Sequence, residues 1–155
     1  MPKIHKGSTC AKGLRFAIVV SRFNGAVTTR LLGGALKALS ENGVADDDVE
    51  VVHVPGAFEI PFFVKQLASL GQFSGIIALG AVVRGETQHH HYLNQSTFDA
   101  LQSIALSGEI PVTLGVLTTE NVEQALRRSA DDPGNKGYEA AMTAIETATL
   151  IRQLR

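Results

Sequence analysis

The sequence predicts an α/β domain, a doubly wound four-stranded parallel sheet flanked by helices. Three observations predict it. The runs 14–21 and 76–83 are almost unbroken apolar stretches rich in β-branched residues, the habit of strands covered on both faces in a parallel sheet. Strand-like runs alternate with apolar residues at helical spacing four times over, and one extra helix closes the chain. Right-handed crossovers would join such units into one sheet. Finally, the chain has 155 residues and is 45% hydrophobic. That is enough for a single core, since a domain of this size buries roughly 70% of the surface its unfolded chain exposes.

Residues 1–13 are polar and glycine-punctuated, with nothing to fill a core. They read as a flexible arm, with docking on a neighbouring subunit as the sharper alternative. The domain proper is residues 14–155. Its first strand, 14–21, stops at Arg22-Phe23-Asn24-Gly25. From about Val27, residues Leu31, Leu32, Ala35, Leu36, Ala38 and Leu39 recur at helical spacing, and Asn42-Gly43 supplies the stop. Asp46-Asp47-Asp48 reads as a solvated loop. A short valine-rich strand follows over 49–54, and Pro61 suits the first turn of the next helix, where its missing N–H costs little. Phe63, Leu67 and Leu70 are expected to form that helix's inner face, with Gly71 ending it.

The central strand, 76–83, changes polarity abruptly at Arg84-Gly85. After the turn, Leu93, Phe98, Leu101, Ile104 and Ala105 mark a helix to about Ser107. Residues 111–118 form the fourth strand. Asn121 with Gln124 three residues on is a helix-start signature, and Val122, Ala125 and Leu126 are expected to face inward. The segment 131–137 breaks this short helix, and Ala141, Ile145 and Ala148 stripe the last one.

Three strand ends carry unusual residues: Phe23-Asn24, Ala57-Phe58-Glu59, and the stretch from Gly85 to His89. In an open α/β sheet, ligands occupy the crevice beyond the carboxyl ends of the strands. Backbone N–H groups of a glycine turn and a helix N-terminus favour an anion there. The stretch 80–92 therefore has the parts of an anion cradle with a proton-transfer group beside it. His89 suits that task, because an unperturbed imidazole with pKa ~6.5 is accessible in both states near neutrality. His90 and His91 read as polar helix-start residues. A shared metal ion is disfavoured, since neighbouring side chains on a helix point about 100° apart, and no metal site is expected. Phe23 is either a rim core residue or a stacking surface. Glu59 is either a helix-start carboxylate or an acceptor for an N–H-rich ligand. Arg128 and Lys136, taken alone, read as solvated surface charges.

Several classes are excluded or disfavoured. The net charge is −1, without long runs of either sign or interleaved basic and aromatic residues, so neither nucleic acid nor a membrane surface is an expected partner. Cys10 is the only cysteine, which rules out an internal disulfide and a cysteine-based zinc site. No Walker A loop, G-x-G-x-x-G or G-x-S-x-G motif is present. The N-terminal residues lack an apolar signal-peptide core, and no apolar run reaches membrane-spanning length. A cytoplasmic location is the expectation.

Taken together, five segments resemble the lumazine synthase family of riboflavin biosynthesis. They are Ser21-Arg22-Phe23-Asn24, Val54-Pro55-Gly56-Ala57-Phe58-Glu59-Ile60-Pro61, the stretch from Ala78 to His89, Gly115-Val116-Leu117-Thr118-Thr119-Glu120-Asn121, and Asn135-Lys136-Gly137. The resemblance runs in family order over nearly the whole chain. It implies a flavodoxin-like sheet. It also implies condensation of 5-amino-6-(D-ribitylamino)uracil with 3,4-dihydroxy-2-butanone 4-phosphate to 6,7-dimethyl-8-ribityllumazine, phosphate and water, without a cofactor. Carried over to this sequence, Phe23 stacks on the pyrimidine and Asn24 joins the substrate-binding residues. Ala57, Phe58, Glu59, Ala81, Val82 and Val83 line the ribityl and ring site. Glu86 and Thr87 hold the butanone phosphate with Arg128, His89 transfers protons, and Lys136 lies near the site.

The resemblance also implies a homopentamer with active sites between adjacent subunits, Leu114 and Arg128 coming from one and Phe23, Glu59 and His89 from its neighbour. A 60-subunit shell and riboflavin synthase are the larger assembly and the protein partner it suggests. This chain departs from the family in two places. His90 and His91 stand where an aromatic-acidic pair is usual, and Leu114 stands where a phenylalanine commonly packs on the substrate. Asp132 replaces a lysine frequent in shell-formers. The competing reading is a non-catalytic ribityl-pyrimidine or flavin binder, or a shell-forming relative.

Overall fold

The structure, a computed structural model, describes residues 1–108 and 110–155. Its elements in chain order are β1 (Phe16–Ser21), α1 (Gly25–Glu41), β2 (Val49–Val54), α2 (Ile60–Ser69), β3 (Gly75–Val83), α3 (His89–Ser107), β4 (Val112–Thr119), α4 (Val122–Arg128) and α5 (Lys136–Leu154). Single 3₁₀ turns precede β2 and α2, at Asp46–Asp48 and Ala57–Glu59. The strands form one four-stranded sheet in the order β2-β1-β3-β4, and every neighbouring pair is parallel. This is the flavodoxin-like architecture, with β1 and β3 central.

The period-2 alternation of the two central strands builds two cores. Phe16, Ile18 and Val20 of β1 and Ile77 and Leu79 of β3 pack toward Leu31, Leu39 and Ile145. Ala17 and Val19, with Ile76 and Ala78, pack on the other face against Val64 and Leu101. Each large side chain buried in this way contributes about 1.5–3 kcal/mol, so the central strands dominate the fold's stability. On the first face α1 and α5 approach closely through small residues. A Cβ at Gly137 would drive into the Leu31 carbonyl, and one at Gly34 into the Asn135 amide.

Asn135, 3% exposed, ties this corner together. Its Oδ1 accepts from the Tyr138 N–H at 3.0 Å, capping α5. Its Nδ2 lies 3.2, 3.0 and 3.1 Å from the carbonyls of Arg30, Ser129 and Ala130. One buried amide therefore joins α1, the end of α4 and the start of α5.

Some details differ from the expectations. Residues Ile60, Val64 and Leu67 form the buried face of α2, while Phe63 and Leu70 point outward. The sequence carries two overlapping stripes at the same spacing that share Leu67, and periodicity alone does not choose between them. Val122 is exposed at the first turn of α4, whereas Ala125 is buried. Ala11 in the N-terminal segment is fully buried within the α1/α5 core, so that segment does contribute to packing. It carries no helix or strand, and it lies along α5. There the Ser8 N–H donates to Thr149 Oγ1 at 2.8 Å and the Lys6 N–H to Gln153 Oε1 at 3.3 Å. No helix among the described residues is long and apolar enough to cross a membrane.

Candidate active site

With β2 and β3 on either side of β1, the ends of these three strands lie side by side. The β1–β2 ladder continues past the strands, with Arg22 N–H donating to the Val54 carbonyl at 2.8 Å and Phe23 N–H to the Pro55 carbonyl at 3.0 Å. Asn24 then turns the chain. It is the only residue other than glycine with positive φ among the described residues, at 62°, a conformation that asparagine tolerates better than most. Its Nδ2 donates to the Ala81 carbonyl at 2.8 Å, and its own carbonyl accepts from Val27 and Thr28, opening α1. The result holds Phe23 out over the strand ends, 72% exposed. An exposed phenyl ring on a backbone held by hydrogen bonds on both sides is a surface on which a planar ligand can stack.

The end of β2 leads into the Ala57–Glu59 turn. Glu59 Oε1 accepts from the Gly56 N–H at 2.9 Å, so one oxygen of this carboxylate serves the helix start. Ala57 is buried and Phe58 is exposed. On β3, Gly80 packs tightly, since a Cβ there would stand 3.0 Å from both Ile60 Cδ1 and Ser21 Oγ.

The turn after β3 is anchored at its start, where Arg84 N–H donates to the Thr119 carbonyl at 2.8 Å and the guanidinium pairs with Glu120 at 3.0 Å. Thr87 organises its end. Its Oγ1 accepts from the His89 N–H at 3.2 Å, and its carbonyl meets His90 Nδ1 at 3.0 Å. The N–H groups of His91 and Tyr92 turn back to the Gln88 carbonyl. Several of the donors expected for an anion cradle are therefore engaged within the turn itself.

These three ends enclose a cleft of about 280 Å³, lined by Phe23, Asn24, Ala57, Ala81, Val82, Val83, Gly85, Thr87, His89, His90 and Leu93. Its lining combines apolar side chains with one phenyl ring and two imidazoles. Of the residues expected from the sequence, Phe58, Glu59 and Glu86 are next to the lining residues in the chain but do not line the cleft. Leu114 and Lys136 lie elsewhere, in a larger groove of about 660 Å³ between β4, α3 and α5. Leu114 is 50% exposed on its strand, and Lys136 Nζ pairs with Glu139 at 2.9 Å. Arg128, exposed at the end of α4, lines neither hollow. Sequence reasoning missed His90 and Leu93 as lining residues. The departure from the family pattern at His90 was the signal available. Among the described residues, no group of three or more His, Cys, Asp or Glu side chains gathers as a metal site.

The model of the 6,7-dimethyl-8-ribityllumazine synthase family matches residues 13–152. The chain belongs to that family. It is accordingly an enzyme of riboflavin biosynthesis, a lumazine synthase that condenses 5-amino-6-(D-ribitylamino)uracil with 3,4-dihydroxy-2-butanone 4-phosphate. A lumazine synthase needs no nucleophile of its own, because the amine of the pyrimidine substrate attacks. It needs a surface for a flat ring, acceptors and donors for a polyol, a hold on a departing phosphate and a group that moves protons. The cleft at the ends of β1, β2 and β3 brings one exposed phenyl ring and two imidazoles together within one chain.

Proposed function

We propose that this cleft is the pyrimidine half of a composite active site, with Phe23 stacking on the ring and His89 transferring protons. The observation that carries the reading is the convergence of an exposed, backbone-anchored Phe23 and the His89 imidazole on one apolar cleft. Asn24, Ala57, Ala81, Val82 and Val83 shape the ring and ribityl pocket, with Phe58 and Glu59 at its edge. Glu86 and Thr87 border the phosphate position.

The remaining residues, Leu114, Arg128 and Lys136, complete the site from an adjacent subunit of a pentameric ring. Support for this lies in their location: Leu114 and Lys136 share a half-open groove on the β4 edge, away from the cleft that holds His89. The guanidinium of Arg128 suits a phosphate that must be held and then released, because it matches phosphate oxygens two at a time. Twelve such rings in a 60-subunit shell, with riboflavin synthase as a partner, are the further assembly this family membership suggests.

Holding the two substrates together can lower the barrier by ~7–11 kcal/mol in favourable cases. One positioned imidazole typically adds ~10²–10⁴-fold during imine formation, phosphate loss and ring closure. The testing experiment supplies both substrates, with chelator present, and follows lumazine fluorescence. His89→Ala is expected to reduce turnover by about 10²–10⁴-fold while leaving the thermal melt unchanged, since His89 is exposed. Undiminished turnover in that variant would end the assignment.

A further inference from the structure

We propose that His90 is a substrate-orienting acceptor, its Nε2 taking a hydrogen bond from a hydroxyl or N–H of the ribityl-pyrimidine. The inference rests on reading the cleft as the pyrimidine site. His90 is half-buried and lines the cleft beside His89. Its Nδ1 stands 3.0 Å from the Thr87 carbonyl. A carbonyl only accepts, so this contact requires the ring proton on Nδ1. In the neutral imidazole the other nitrogen is then a bare acceptor, able to meet only a ligand that brings a donor.

The two substrates differ in this respect. The ribityl-pyrimidine presents several hydroxyls and amine and ring N–H groups, whereas the other substrate presents a single hydroxyl donor and, at its phosphate end, acceptors. With Nε2 turned to the cleft, its lone pair would select the pyrimidine side and disfavour the phosphate. His89 is differently placed, because no hydrogen bond to its ring is found among the described residues and either nitrogen can carry the proton. Thr87 sets the two apart: its Oγ1 takes the His89 backbone N–H and its carbonyl takes the His90 ring N–H. One imidazole is left free to exchange protons while its neighbour is held in a single tautomer. The apolar lining from Val83 and Leu93 strengthens a hydrogen bond made there.

The test is steady-state kinetics with each substrate varied in turn, on the whole assembled protein, for wild type, His90→Asn, His90→Gln, His90→Phe and Phe23→Ala. Asparagine can keep a donor near Nδ1 for Thr87 but has nothing at Nε2, whereas glutamine can place an acceptor near Nε2. The expected result is a rise of about tenfold in KM for the ribityl-pyrimidine in His90→Asn and His90→Phe, the worth of one uncharged hydrogen bond. KM for the butanone phosphate and kcat should stay within about twofold, and His90→Gln should lie near wild type. The opposite pattern, with His90→Asn unaffected and His90→Gln impaired, would mean that His90 acts only by bracing the turn, and would overturn the proposal. So would equal rises in both KM values. Phe23→Ala separates the two levels of the argument. If it raises KM for the pyrimidine while every His90 variant leaves it unmoved, the His90 proposal alone fails; if it too has no effect, the reading of the cleft fails.

Discussion

The cleft beyond β1, β2 and β3 and the groove beside β4 differ in how far one chain completes them. Around the cleft the turns are internally braced: Asn24 to Ala81, Glu59 to Gly56 beside it, and Thr87 to His89 and His90. In the groove, Leu114 stands half-exposed on a strand that has a neighbour on one side only, and the two charges that line it, Lys136 and Glu139, pair with each other within one helix. An edge strand presents unpaired backbone N–H and C=O groups that can pair with another chain. The contrast supports the proposal that the chemistry is assembled in two halves, one finished by folding and one finished by association.

The comparison can be broken most sharply at Leu114. Leu114→Asp should leave the monomer folded, because the side chain is not in the core, yet prevent ring formation and with it nearly all turnover. Light scattering and the fluorescence assay together check this, and a fully assembled, fully active variant would mean the groove is not an inter-subunit face. Mixing two inactive chains sharpens the same point. When His89→Ala and Arg128→Ala chains are dissociated and reassembled in equal amounts, about a quarter of sites should regain both intact halves. Recovery of that order requires sharing between subunits; none would appear if each chain carried a whole site.

Smaller effects are expected within the finished half. Phe23→Ala should raise KM for the ribityl-pyrimidine by roughly five- to tenfold, the scale of one aromatic contact, with little change in melting temperature because the ring is exposed. Least of all, Arg84→Ala removes the surface pair with Glu120 that links the rim turn to the end of β4. It should cost under about 1 kcal/mol in a denaturant melt.

Much of this was legible in the sequence, for reasons that differ by region. The central strands announce themselves because burial on both faces demands continuous apolar runs, and 16–21 and 75–83 are the least exposed strands in the sheet. The Asn121–Gln124 helix start was readable from spacing: Gln124 N–H donates to Asn121 Oδ1 at 2.8 Å, while Gln124 Oε1 reaches one residue further back, accepting from the Glu120 N–H at 2.9 Å. The inner face of α2 was not legible, because Phe63 and Leu70 fit the helical period as well as Ile60 and Val64 do. Only the shape of the sheet beneath decides. Nor could spacing show that Ala11 reaches the core, since a lone alanine among polar residues carries no periodic signal. At the site, residue types drew attention to the strand end that carries His89, but the contact of His90 Nδ1 depends on where the Thr87 carbonyl points. That is a property of the turn and not of the letters.

The buried amide of Asn135 has a consequence for how the protein breathes. Because a single side chain satisfies carbonyls on both sides of the 129–130 corner and also starts α5, these pieces have no independent way to loosen. The corner should open and reclose as one unit, so that its amides trade hydrogen for deuterium on a common clock. The neighbouring charges of Arg128 and Lys136 then sit on a stretch that is either fully in register or briefly undone, with little in between.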